Sequence, residues 1–198
     1  MVEKYLLVRH GEAEPRQEGQ AQEERLLTGK GFSQALALGV RLADTRAFPD
    51  LGIRSPAQRS SDTLLLAIGA AIGRVGFEIK LARVGSLLYM GRENARTALA
   101  AIDRLAAGGD PDCVPLSSIL AEPEGDIFRN HATVVSKDIN DAVGVAGGTR
   151  TVLLVGHSYL LNTVALGLYG GEHPLIMGPT PGHAQGFSIV PGQSVEAL

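Results

Sequence analysis

An α/β fold, with a mostly parallel central sheet of five or six strands held between two layers of helix, is what the sequence predicts. Three observations support it. Short apolar, β-prone runs alternate along the chain with longer stretches whose apolar positions recur every three or four residues. The strand runs are far enough apart for helical crossovers, which favour parallel pairing and right-handed connections. The 198 residues, 44% hydrophobic but only 5% aromatic, suit a single domain spanning 1–198 with a core mainly of Leu, Val, Ile and Ala.

The first strand is expected near 4–9, through Tyr5-Leu6-Leu7-Val8. A polar loop over 11–27, rich in Glu and Gln, separates it from a helix near 29–45. Leu51-Gly52-Ile53-Arg54 marks a strand near 50–54, and a helix near 56–72 follows, with Ser55 as N-cap and Pro56 at the first helical position. A further strand is expected around 77–81, Phe77-Glu78-Ile79-Lys80-Leu81, then helices near 92–107 and 127–144. The stretch 108–126 between those helices holds Gly, Asp and three prolines. Thr151-Val152-Leu153-Leu154-Val155 starts a strand near 151–156, followed by a helix near 158–169, with Ser158 as its N-cap, and a last strand near 186–190. Loops 11–27 and 108–126 are expected to border the mouth of any site, and no repeat or low-complexity tail interrupts the pattern.

Ligands of open α/β sheets gather beyond the carboxyl ends of the strands. Three strand ends here each present a basic residue: Arg9-His10-Gly11 after the first strand, Arg59 in Ser55-Pro56-Ala57-Gln58-Arg59 after the second, and Gly156-His157-Ser158 late in the chain. Arginine offers a planar fork of donors that matches a phosphate, and lysine has no equivalent. Gly11 removes a side chain where backbone amides could approach an anion, and His157 would stand beside the positive end of a helix dipole. Imidazole, with an ordinary pKa of roughly 6.5, is a nucleophile near neutral pH without help from a metal. Phosphoryl transfer is the chemistry these residues suit.

Four ordered blocks carry a resemblance to a family: Leu7-Val8-Arg9-His10-Gly11-Glu12; Leu27-Thr28 with Gly31, Gln34 and Ala35; Ser55-Pro56-Ala57-Gln58-Arg59 with Thr63; and Val155-Gly156-His157-Ser158. Over most of its length the chain resembles the histidine phosphatase superfamily, which includes cofactor-dependent phosphoglycerate mutases and many small phosphatases. The resemblance implies a phosphoglycerate mutase-like three-layer sandwich. It also implies that His10 takes the phosphoryl group and that Arg9, Arg59 and His157 surround its oxygens. Gly11, Ser158 and Arg16 join Arg9, Arg59 and His157 as expected phosphate- or substrate-binding residues. Arg16 stands where mutase-like members usually have an asparagine that contacts substrate, so it either binds a second anionic group or faces water.

The chain departs from the better-known members in one respect. Those carry a glutamate proton donor in a Gly/Trp-rich motif some way after the second arginine. This chain has no tryptophan, and Arg83-Val84-Gly85-Ser86-Leu87-Leu88-Tyr89-Met90-Gly91 contains no carboxylate. A general acid matters most for poor leaving groups, where it contributes about 10²–10⁴-fold. Its absence tilts the expectation towards the small phosphohistidine-phosphatase type, or towards a donor elsewhere. Glu93 is the candidate donor, with Glu122, Glu124 and Asp126 as further ones, against the plainer reading of each as a solvated helix-start or loop acid. Glu12 and Glu14 could orient Arg9 or serve only as counter-charges, Arg54 could edge the site, and His183 could line a late loop. His131 and His173 have no partner spacing.

The function expected is therefore metal-independent hydrolysis of a phosphomonoester or phosphoramidate through a phosphohistidine on His10. No metal site or cofactor is expected, because five histidines and one cysteine form no recognisable ligand cluster. A mutase-like phosphotransferase is the alternative, disfavoured because the chain is short of the segments that would enclose a bisphosphate. A binding module of the same fold with little turnover is a second alternative. An α/β-hydrolase reading of Gly156-His157-Ser158-Tyr159-Leu160 fails at its last position, where the elbow requires glycine. Partners would be a phosphorylated small molecule or a phosphohistidine protein. A formal net charge of −3 argues against nucleic acid, no apolar run is long enough for a membrane, and the lone Cys113 and lack of a leader suit the cytoplasm. The sequence leaves the oligomeric state open.

Overall fold

The computed structural model describes residues 2–75, 78–87 and 90–198. Six strands form one sheet in the order β3-β2-β4-β1-β5-β6. β1 (Lys4–Arg9), β2 (Leu51–Arg54), β3 (Lys80–Arg83) and β4 (Thr151–Gly156) run parallel, while β5 (Gly186–Val190) and β6 (Ser194–Ala197) close one edge as an antiparallel pair. The sheet is thus mostly parallel, as expected.

Alternation along the central strands divides the core between two helical layers. Leu6 and Val8 of β1, with Leu153 and Val155 of β4, face α1 (Gly29–Asp44) and α2 (Gln58–Val75), meeting Leu38, Leu42 and Leu64. Tyr5 and Leu7, with Val152 and Leu154, face the opposite layer, where Phe128, Val135 and Ile139 of α5 (Gly125–Ala146) and Leu161 and Val164 of α6 (Ser158–Tyr169) pack. The central strands are apolar on both faces because both are covered. The other α-helices among the described residues are α3 (Arg92–Ala106), α4 (Leu116–Ala121) and α7 (Pro174–Met177).

Several expected boundaries shift. Phe77 lies outside the described residues, and the strand expected there spans Lys80–Arg83 instead, a largely exposed edge pairing only with β2. The helix expected from Pro56 begins at Gln58, and just ahead of it the Ser55 hydroxyl accepts from the Ala57 amide at 3.3 Å. α6 starts at Ser158 with His157 in the extended N-cap conformation (φ −129°, ψ 139°), so Ser158 is its first residue and not its cap. β6, α4 and α7, of 4, 6 and 4 residues, are too short to show a period and were not expected.

The register positions the site. Arg9 pairs with Gly156 across β1 and β4, so His10 and His157, each one residue beyond, emerge side by side at the carboxyl end of the sheet. The His10 amide donates to the Gly156 carbonyl at 3.1 Å. β4 lies between β1 and β2 although it follows both in the chain, so the strand order reverses beside this point.

Candidate active site

His10 and His157 face each other with ring centroids 4.9 Å apart, and Arg59 bridges them. The Arg59 Nε donates to His10 Nε2 at 3.1 Å, and its Nη2 lies 3.1 Å from His157 Nδ1. A guanidinium carries donors only, so both imidazole nitrogens accept. The other nitrogens complete the assignment. His10 Nδ1 donates to the Gly11 carbonyl at 2.7 Å, and His157 Nε2 donates to Ser55 Oγ at 2.6 Å. Each ring is thereby fixed in one neutral tautomer, with a lone pair turned towards Arg59.

All three side chains are buried, Arg59 to the point of 2% exposure. Burial, reinforced by the charge of Arg59, pushes the His10 imidazole well below its ordinary value, with Arg9 acting in the same direction and the Gly11 carbonyl against it. His157 is pushed well below as well, first by burial and then by His10, Arg59 and Arg9. Both rings are therefore neutral at pH 7, as a nucleophilic imidazole must be.

Arg59 reaches its position from the first turn of α2, and its Nη1 donates at 2.5 Å to the Gln22 carbonyl in the polar loop. Arg9, 9% exposed, donates through Nη1 to the Pro181 carbonyl at 3.3 Å and forms a 2.6 Å ion pair with Asp112 through Nη2. Its Nε is buried with no hydrogen-bond partner. Segment 179–185 borders the site from the other side. There the Ala184 amide donates to the Arg9 carbonyl at 3.0 Å, and His183 donates through Nδ1 to the His10 carbonyl at 3.2 Å. The His183 ring centroid is 5.7 Å from that of His10. Burial and Arg9 lower the His183 pKa, against the opposing effects of the His10 carbonyl, Asp112 and Glu12.

Arg9, His10, Gly11, Arg59, His157 and Ser158 thus come together, though Gly11 and Ser158 do so differently from expectation. The Gly11 amide is not open to an anion, because it donates to Thr63 Oγ1 at 3.0 Å. Glycine is needed there for packing, since a Cβ would stand 2.6 Å from the Gly31 carbonyl oxygen. Ser158 Oγ donates to Asp112 Oδ1 at 2.7 Å. Arg16 is exposed, with its Nε on the Gln20 carbonyl at 3.0 Å. Glu93 lies exposed in the first turn of α3. Glu122 and Glu124 pair with Arg104, and Asp126 pairs with Arg129. Glu12 binds Lys30 at 2.7 Å and Thr28 at 3.1 Å, contacts that hold it below its ordinary value. Arg54 donates to Ser61, and His173 caps α7.

Sequence reasoning did not find Asp112, nor Ser55 as a partner of His157. In the sequence Ser55 stands out only as a helix cap. Asp112 sits in a Pro/Asp-rich stretch whose other acids look the same on paper. Among the described residues, no group of three or more His, Cys, Asp or Glu is placed to hold a metal ion, and no helix is long and apolar enough to cross a membrane.

The family model of the histidine phosphatase superfamily (branch 1) matches residues 5–178, and the chain belongs to that family. No curated protein sequence matches it. Solved structures share the fold at low identity. A phosphoglycerate mutase from Bacillus anthracis is 18% identical with a TM-score of 0.61, over 98% of this chain and 91% of that one. A phosphoserine phosphatase from Entamoeba histolytica, in complex with phosphoserine, is 18% identical with a TM-score of 0.59, over 98% and 94%. The protein histidine phosphatase SixA, complexed with tungstate, is 14% identical with a TM-score of 0.57, again over 98% and 94%.

Proposed function

We propose that this protein is a phosphohydrolase in which His10 Nε2 attacks the phosphorus of a phosphomonoester or phosphoramidate and water then releases phosphate from the resulting phosphohistidine. The observation that carries this reading is the tautomer. With Nδ1–H tied to the Gly11 carbonyl at 2.7 Å, the lone pair of His10 stands on Nε2, inside a buried and doubly cationic corner. Arg59 contacts that lone pair, so an incoming phosphoryl group displaces a donor already aimed at the reacting atom. Its equatorial oxygens then take the hydrogen bonds of Arg59 and the unpartnered Nε of Arg9. His157, which orients Arg59 while neutral, becomes a donor through Nδ1 once the bound dianion draws a proton onto it, and Ser55 holds the ring in place in both states. A nucleophile that is neutral at pH 7 has no need of a metal to expose its lone pair.

Substrates of this class are phosphorylated small molecules or a phosphohistidine protein. The reading is tested by following phosphate release, without added metal, from p-nitrophenyl phosphate, sugar phosphates, phosphoserine, phosphoglycerates and a phosphohistidine peptide. Wild type and His10→Ala are compared throughout. Turnover that His10→Ala abolishes is the expected result. Full activity in His10→Ala, or no turnover of any substrate by wild type, contradicts it.

A further inference from the structure

Asp112 is a carboxylate in direct contact with two residues of the site, Arg9 and Ser158. It lies in the short 3₁₀ turn Pro111–Cys113 at the N-terminal end of the 108–126 border, with Asp110 as the turn's N-cap. Each of its carboxylate oxygens is directed at a residue of the site: Oδ2 to Arg9 Nη2 at 2.6 Å, and Oδ1 to Ser158 Oγ at 2.7 Å. Its own carbonyl accepts from the Thr180 amide at 3.2 Å, which ties the turn to segment 179–185 carrying His183. The Asp112 side chain is 31% exposed while that of Arg9 is 10%, so Asp112 lies on the solvent side of Arg9.

We infer that Asp112 is the proton donor to the leaving group. The inference rests on the phosphohydrolase reading of His10. An anion bound by Arg9 must come to lie beside the carboxylate that Arg9 already holds, and two adjacent anions are stabilised by one shared proton. A phosphomonoester, whose second pKa is about 6, brings that proton as its monoanion. The step then balances. The His10 Nε2 lone pair forms the N–P bond, and the P–O bond breaks with its electron pair passing to the leaving oxygen, which takes the proton of Asp112. An alcohol, a phosphohistidine and the Asp112 carboxylate result. In the second half, Asp112 takes a proton from the attacking water as the P–N bond breaks and its electron pair returns to Nε2. Ser158 Oγ keeps Oδ1 occupied, leaving Oδ2 as the oxygen that exchanges Arg9 for the proton.

The test is the leaving-group dependence of Asp112→Asn. Phosphoserine and glycerol phosphate, with alkoxide leaving groups, need an acid, whereas p-nitrophenyl phosphate needs little help. Asp112→Asn is expected to lose about 10²–10⁴-fold in kcat on the alkyl esters and less than about tenfold on the aryl ester, with Asp112→Glu recovering part of the loss. Thermal unfolding of each variant checks that the fold is retained. An equal loss on both ester types shows that Asp112 only positions Arg9, and no loss on either shows that it takes no part; each result overturns the inference while His10-dependent aryl phosphate turnover leaves the underlying reading standing. A leaving-group-dependent loss in His183→Ala instead transfers the role to His183 and overturns the inference for Asp112. Absence of His10-dependent turnover removes the reading and this inference with it.

Discussion

At the scale of single residues, the chemistry turns on what a guanidinium can do that an ammonium cannot. Arg59 reaches His10 Nε2, His157 Nδ1 and the Gln22 carbonyl from one planar group. A lysine keeps the charge but cannot hold three directions at once. Arg59→Lys is expected to lower kcat by about 10²-fold, on the scale of losing one preorganised donor, and steady-state kinetics on an aryl phosphate checks it. The tautomers give a second prediction. Nitrogen NMR of the labelled protein is expected to show His10 protonated on Nδ1 and His157 on Nε2, both remaining neutral as pH falls through 6.5. Protonation of either ring at or above that value contradicts the site as described. The motifs Arg9-His10-Gly11, Arg59 and Gly156-His157-Ser158 made four of these residues legible in the sequence because each follows a strand run. Asp112 was not legible. It is 103 positions from Arg9, its contact is made by a turn with no periodicity, and Asp110 and Asp126 carry the same chemistry in the same stretch.

At the scale of elements, the site depends on a close passage between the loop after β1 and the start of α1. Thr28 caps α1 by accepting from the Gly31 amide at 3.0 Å, and its own amide donates to the Glu12 carbonyl at 3.0 Å. A Cβ on Gly31 would fall 2.0 Å from the Glu12 carbonyl oxygen, a backbone atom that cannot swing away. Gly31→Ala is therefore expected to cost about 1–3 kcal/mol in chemical denaturation and to lower activity by moving the residues beside His10. Wild-type stability and turnover in that variant contradict this packing. The sequence block of Leu27-Thr28 with Gly31 and Gln34 has the same physical basis, for the Gln34 side chain accepts from the Glu12 amide at 2.8 Å. Long elements were readable because each central strand is a continuous apolar run and each main helix carries its three-to-four-residue period. The short β6, α4 and α7 were not; α6 starts at Ser158 as expected, with His157 in place of Ser158 as its cap, whereas α2 starts at Gln58, later than expected.

At the scale of the whole molecule, burying neutral histidines links folding to pH. His10 and His157 bind protons far less readily folded than unfolded, so below the ordinary histidine value the unfolded state holds more protons. Stability rises with pH wherever that is so. It is complete above about pH 6.5 and falls as pH drops below it, by up to about 1.4 kcal/mol per pH unit for each of the two rings. Wild type is expected to lose Tm between pH 7 and about 5.5, and His10→Gln to lose less over the same range. Equal slopes, or a Tm that rises on acidification, contradict the buried neutral pair. A phosphohistidine on His10 is detected most directly by trapping it. Rapid quenching during turnover of a radiolabelled aryl phosphate, followed by peptide mapping, is expected to find an acid-labile, alkali-stable phosphoryl group on the peptide bearing His10. A phosphoryl group on any other residue, or undiminished turnover in His10→Ala, would contradict the account.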